Sequence, residues 1–148
     1  MPWDKGWHNQ CENNAAEKLE ALVACAEFHI DVSHNSGIDF VGWYKEPLVI
    51  IEYKHDLHRN RWSREAAIRE VTSTFDIGLL YEEHGIDIEY NPDLGFILGP
   101  THGYRVSKRT GMIGGTWSYE RIALKISSLI EKILCQEKEE LLKTVAWG

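Results

Sequence analysis

Apolar positions along this chain change period several times, and each change marks an element. Over residues 10–27, Ala15, Leu19, Leu22, Val23 and Ala26 recur at helical spacing. Residues 28–32 (FHIDV) then read as a short strand, and 33–36 as a turn. Residues 37–43 (GIDFVGW) and 48–54 (LVIIEYK) are rich in β-branched and aromatic side chains and flank Tyr44-Lys45-Glu46-Pro47, a hairpin signal. Residues 61–82 place Ala67, Val71, Phe75 and Leu79 four apart, which predicts a second helix ending near Gly85. Residues 86–90 and 95–98 are strand-like and are divided by Asn91-Pro92-Asp93. Residues 99–115, with five glycines and a proline, read as a surface loop, and 118–145 as a long last helix with Ile122, Ile126, Leu129, Ile130 and Ile133 on its apolar stripe. The expected architecture is α/β: one domain over residues 1–148, a mixed sheet flanked by helices in the order α-β-β-β-α-β, closed by a long C-terminal helix.

Three acidic positions break these patterns. With the hairpin turn centred between Lys45 and Glu46, Asp39 falls opposite Glu52, and alternation puts Glu52 and Lys54 on one face with Asp39. A turn one residue longer or shorter would turn one strand over and scatter the three groups. Facing carboxylates repel, and a hard divalent cation offsets that repulsion, since Mg²⁺ takes oxygen ligands and commonly uses one or two protein carboxylates. Lys54 beside them would hold an attacking water or stabilise charge on a transferring phosphate. The plain alternative is a strand that emerges into solvent and ends in Glu-x-Lys. In the first helix, Glu12 lies about 20° from Leu19 at about 100° per residue, inside the apolar stripe. That is either a first-turn acid favoured by the helix dipole or an acid leaning over the sheet.

The stretch from Asp39 to Glu52-Tyr53-Lys54 resembles the PD-(D/E)XK nuclease superfamily, and its spacing is similar to that of archaeal Holliday-junction resolvases and related small nucleases. The local match covers about twenty residues, and the wider element order is compatible with the family's α-β-β-β-α-β core. The resemblance implies Asp39 and Glu52 as metal ligands for Mg²⁺ or Mn²⁺, Lys54 as the catalytic lysine, and Glu12 as the helix glutamate. The chain departs from the pattern at Ile38, where the family's name has proline.

Composition bounds this reading. A chain of 148 residues suffices to bury roughly 70% of its unfolded surface. No apolar run approaches the length of a membrane span, and the polar start shows no secretory signal. Cys11, Cys25 and Cys135 are odd in number and lack CxxC spacing, so free thiols and a cytoplasmic, reducing location are expected. The net charge of −7 argues against general nucleic-acid coating. Its distribution is uneven, however. His55, His58, Arg59, Arg61 and Arg64 form one basic patch, and Arg105, Lys108 and Arg109, beside Tyr104, a second. Both would contact phosphates; the alternative is a solvated helix start and a solvated loop. His55 and His58 make a weak zinc signal without a third ligand. Glycines 111, 114 and 115 lack the lysine and hydroxyl of a P-loop.

The expected function is metal-dependent hydrolysis of DNA, with branched DNA among the substrates and RNA as the lesser expectation. Leu141, Leu142, Val145 and Trp147 offer a dimer contact. The alternative is a non-catalytic protein on the same scaffold, binding nucleic acid or a regulated protein partner.

Overall fold

The computed structural model describes residues 5–33, 38–75, 92, 94–107 and 111–147. Its elements run α1 (Lys5–Leu22), β1 (His29–Val32), β2 (Phe40–Tyr44), β3 (Glu46–Tyr53), α2 (Arg61–Thr74), β4 (Leu94–Leu98), β5 (His102–Ser107), β6 (Gly111–Ser118) and α3 (Tyr119–Trp147). The strands form one sheet in sequential order, antiparallel throughout except where β3 and β4 run parallel. It is the expected single α/β domain: the first six elements follow the order α-β-β-β-α-β, and a hairpin and the long helix follow.

Two cores sandwich the sheet. On one face, Ala15, Ala16 and Leu19 of α1 and Ile122, Ile126 and Ile130 of α3 meet Phe40, Val49, Ile51, Tyr53, Phe96 and Leu98. On the other, Ala67, Val71 and Phe75 of the α2 segment meet Val41, Ile50, Ile97 and Val106. Every residue of β3 after Glu46 is buried, because helices cover both its faces. The packing under α2 depends on Gly95: a Cβ there would stand 2.7 Å from both Val71 and Phe75 side-chain carbons. The start of α2 is set by Asn60, whose side chain accepts from the N–H groups of Trp62 and Ser63.

Several boundaries differ from expectation. The first helix begins at Lys5 and stops at Leu22, so Leu22 is 39% exposed and Ala26 lies beyond it on the surface. Ala16 is buried in their place. The expected loop over 99–115 is mostly the hairpin of β5 and β6; four of its five glycines, all but Gly99, sit within strands, and Gly103 packs so closely on Ile97 that a Cβ would strike the Ile97 carbonyl oxygen. Leu79 and the strand expected over 86–90 lie outside the described residues. In α3, Leu129 and Ile133 are partly buried, whereas Leu141, Leu142 and Val145 are exposed. Among the described residues no helix is long and apolar enough to cross a membrane. Cys11, Cys25 and Cys135 are free thiols.

Candidate functional site

The β2–β3 hairpin reaches the expected pairing by two compensating irregularities. Its turn is tight: Tyr44 pairs with Glu46, leaving Lys45 alone at the tip with φ of 63°. That shifts the register by one residue, and a bulge between Gly42 and Trp43 shifts it back. Beyond the bulge Gly42 faces Val49, Val41 faces Ile50 and Phe40 faces Ile51. Asp39, one residue before β2, therefore stands beside Glu52 at the far end of β3. Without the bulge, Glu52 would be out of register with Asp39.

The carboxyl groups of Asp39 and Glu52 are close enough to share a proton as a hydrogen bond. Oδ2 of Asp39 accepts the backbone N–H of Tyr53 at 2.9 Å, and its carbonyl accepts the Ser33 N–H at 2.8 Å. Glu52 is 6% exposed, and its Oε1 is buried without a hydrogen-bond donor. The Lys54 ammonium stands 4.0 Å from Oε2 of Glu52 and is about one-third exposed. Burial pushes the Glu52 carboxyl far above the usual carboxylate range, and the neighbouring Asp39 pushes it further. Burial raises Asp39 as well, opposed by its hydrogen bonds to Glu52 and the Tyr53 N–H.

Glu12 is buried and adds its negative charge to the field at Asp39. It reaches this end of the sheet from α1, one turn before Ala15 and Ala16, and His8 Nε2 lies 2.6 Å from its Oε1. Among the described residues no three His, Cys, Asp or Glu side chains gather as a ready-made metal cage. A pair of touching carboxyls with one undonated oxygen is instead the donor set suited to a hard oxygen-seeking dication that keeps several waters. The residues present fit Mg²⁺ or Mn²⁺ on those grounds.

The basic residues do not gather into one surface. His58 stacks on His102 with ring centroids 3.5 Å apart, its Nε2 lies 3.1 Å from the His102 carbonyl, and Arg64 lies over Tyr104 at 5.7 Å. Burial, then the neighbouring His102, lowers the His58 pKa. His102 gave no sequence signal, because its link to His58 spans 44 residues. Arg61 is engaged by Glu65 at 3.1 Å, and Arg59 is exposed. Arg105 departs from the patch assigned to it: it lies over Trp117, which belongs to the α1/α3 core, whereas Tyr104 packs against the α2 core. Strand alternation turns these neighbours to opposite faces. Lys108 and Arg109 lie outside the described residues. His55 diverges from His58: its Nδ1 lies 3.3 Å from the Tyr53 hydroxyl and its ring meets Trp7 edge-on at 4.5 Å, so the two histidines do not share a zinc ion.

Parallel pairing brings β4 to the same end, where the Lys54 N–H donates to the Leu98 carbonyl at 2.9 Å. The arrangement thus joins two hydrogen-bonded carboxyls, half-buried at Asp39 and buried at Glu52, with a third acid whose charge reaches Asp39 and one lysine. Comparison with protein-family models, with characterised proteins and with solved structures gives no match.

Proposed function

We propose that this protein hydrolyses phosphodiester bonds of DNA, using Mg²⁺ or Mn²⁺ held by Asp39 and Glu52. The observation that carries the reading is the hydrogen-bonded pair of half-buried Asp39 and buried Glu52, with its undonated Glu52 oxygen and Lys54 at its edge. When bound, a divalent cation supplies neutralisation of phosphate charge and a water acidic enough to attack near neutral pH.

The chain's own groups do the rest. The Tyr53 N–H holds Asp39 in one orientation, so the oxygen ligands are positioned before substrate arrives. The Lys54 ammonium, partly open to solvent, hydrogen-bonds a phosphate oxygen and stabilises the charge that grows there during attack. Glu12 keeps the field at this end negative, which favours retention of a cation. His58, Arg59 and Arg64 contact flanking phosphates from the α2 side, with Arg61 available once it leaves Glu65.

The test is cleavage of labelled linear, single-stranded, branched and RNA substrates with Mn²⁺, Mg²⁺ or EDTA, beside Asp39→Ala. Metal-dependent cutting of DNA lost in the variant supports the proposal. Silence across the panel from folded protein, with no thermal stabilisation by Mn²⁺, overturns it. The division of basic residues between two faces, on a chain of charge −7, favours a second reading: a non-catalytic scaffold that binds a protein partner. That reading gains from the silent outcome.

A further inference from the structure

The most exposed large apolar side chain among the described residues is Trp62, in the first turn of α2, with 78% of its surface open to solvent. It enters no ring stack, cation–π contact or side-chain hydrogen bond among those residues. We infer that Trp62 stacks on an unpaired base of a bound DNA strand, whose phosphates Arg59 and Arg69 hold. This rests on the proposed hydrolysis for the choice of DNA and adds a substrate class to it: DNA with a single-stranded segment beside the cut.

The ring stands on a fixed mount. Its backbone N–H donates to Oδ1 of Asn60 at 3.0 Å, and the Asn60 amide donates in turn to Oδ2 of Asp56 at 3.1 Å. Ser63 Oγ donates to the same Asp56 oxygen at 3.0 Å. Leu57, 1% exposed, anchors this stretch in the core under α2. A platform already held in place loses little freedom when a ligand lands on it.

The surroundings of the ring select the occupant. Arg59 is exposed just before the helix, and Arg69 is exposed two turns along the same helix face, about 10 Å up the axis. Neither meets a carboxylate among the described residues, whereas Glu65 is engaged by Arg61 at 3.1 Å. No other large apolar side chain is exposed on α2, so Trp62 offers a single flat ring and no apolar patch of the kind a protein partner covers. A lone aromatic face between cations matches a base on an anionic strand.

The same turns place this platform beside the carboxyl pair. The Lys54 carbonyl accepts the Leu57 N–H at 3.2 Å, and the Asp56 carbonyl accepts the Asn60 N–H at 3.0 Å, so closed turns lead from the end of β3 to Trp62. A base inside a duplex is covered on both faces by its neighbours and must leave the stack to meet the indole; a base in a single strand is open to it.

The experiment measures binding in EDTA by anisotropy of labelled oligothymidylate, an abasic strand of equal length and a paired duplex. The same three are incubated with Mn²⁺ and scored for cutting. Oligothymidylate should bind about tenfold more tightly than the abasic strand, within the range of base–aromatic stacking. Trp62→Ala should erase that difference, Trp62→Phe should keep most of it, and both should leave duplex affinity unchanged. Arg69→Ala should weaken the base-bearing and abasic strands alike and reduce the salt slope by about one unit. Equal binding of the two strands, or a base preference that survives in folded Trp62→Ala, overturns the inference. Asp39-dependent cutting without a Trp62-dependent preference removes the role of the ring and leaves hydrolysis standing. A Trp62-dependent preference without any cutting does the reverse, and no binding of any form overturns both.

Discussion

The backbone N–H of Tyr53 donates to Oδ2 of Asp39 over 2.9 Å, so the strand that carries Glu52 also holds the acid that faces it. Strand and carboxylate orient one another, and neither carboxyl can leave the pair without losing a hydrogen bond or exposing a buried end. Replacing Asp39 by Ala should therefore remove metal-dependent cleavage to below about 1% of wild type, as should Lys54→Ala, consistent with the effect of losing a transition-state charge partner. Circular dichroism of both variants should match wild type. Full activity in either purified variant would eliminate the assigned roles.

Glu52 makes stability depend on pH in the reverse of the usual carboxylate sense. Its folded-state pKa is raised, so the folded chain holds a proton that the unfolded chain gives up. Stability is then greatest below the ordinary value of 4.5 and declines as pH rises above it toward the raised value. In EDTA the melting temperature should fall between about pH 5 and pH 8, whereas Glu52→Gln should flatten the profile and be more stable at the upper end by about 1–3 kcal/mol. Mn²⁺ should restore the wild type at high pH and leave the glutamine variant unmoved. Melting curves that show no pH dependence in EDTA would contradict this account.

Arg64 and Arg105 should behave differently although both are arginines near Tyr104. Arg64→Ala should weaken DNA binding and reduce the salt slope by about one unit, the signature of a lost phosphate contact. Arg105→Ala should leave that slope unchanged and act on the Trp117 stack instead, costing about 0.5–1 kcal/mol of stability. Titrations at several salt concentrations separate the two, and an equal loss of slope would place both on one surface.

Gly95→Ala is expected to destabilise the fold by about 1–3 kcal/mol, since the added methyl overpacks a filled core. Val71 and Phe75 stand where the new carbon would go. Urea unfolding measures this directly, and an unchanged midpoint would mean that α2 moves off β4 freely.

Much of this architecture is legible in local patterning. The α1 and α2 stripes, the apolar β3 and the α3 isoleucines each carry their period within a few turns or residues, and Ala67, Val71 and Ile126 are buried as the spacing predicts. Pairing of Asp39 with Glu52 is legible too, but through a wrong turn: the one-residue tip at Lys45 and the bulge at Gly42/Trp43 cancel, and neither has a clear sequence signature. Glycine in 99–115 reads as loop because composition does not reveal that Gly103 is needed for close approach to Ile97. His102 and the split of Arg105 from Arg64 depend on contacts distant in sequence and on strand alternation within an unexpected strand.

The parallel β3–β4 ladder is the seam between two three-stranded meanders, β1-β2-β3 and β4-β5-β6, each built from neighbours in sequence. Pairing within either meander joins strands adjacent in sequence, whereas the seam joins strands separated by α2. Glu52 and Lys54 belong to the first meander, and the Leu98 carbonyl that secures Lys54 belongs to the second. Asp39, Glu52 and Lys54 therefore meet within the first meander, and docking of the second adds the Leu98 carbonyl that anchors the backbone at Lys54. A chain opened along that seam would keep its acids and its lysine together and lose the anchor and the cover beside them.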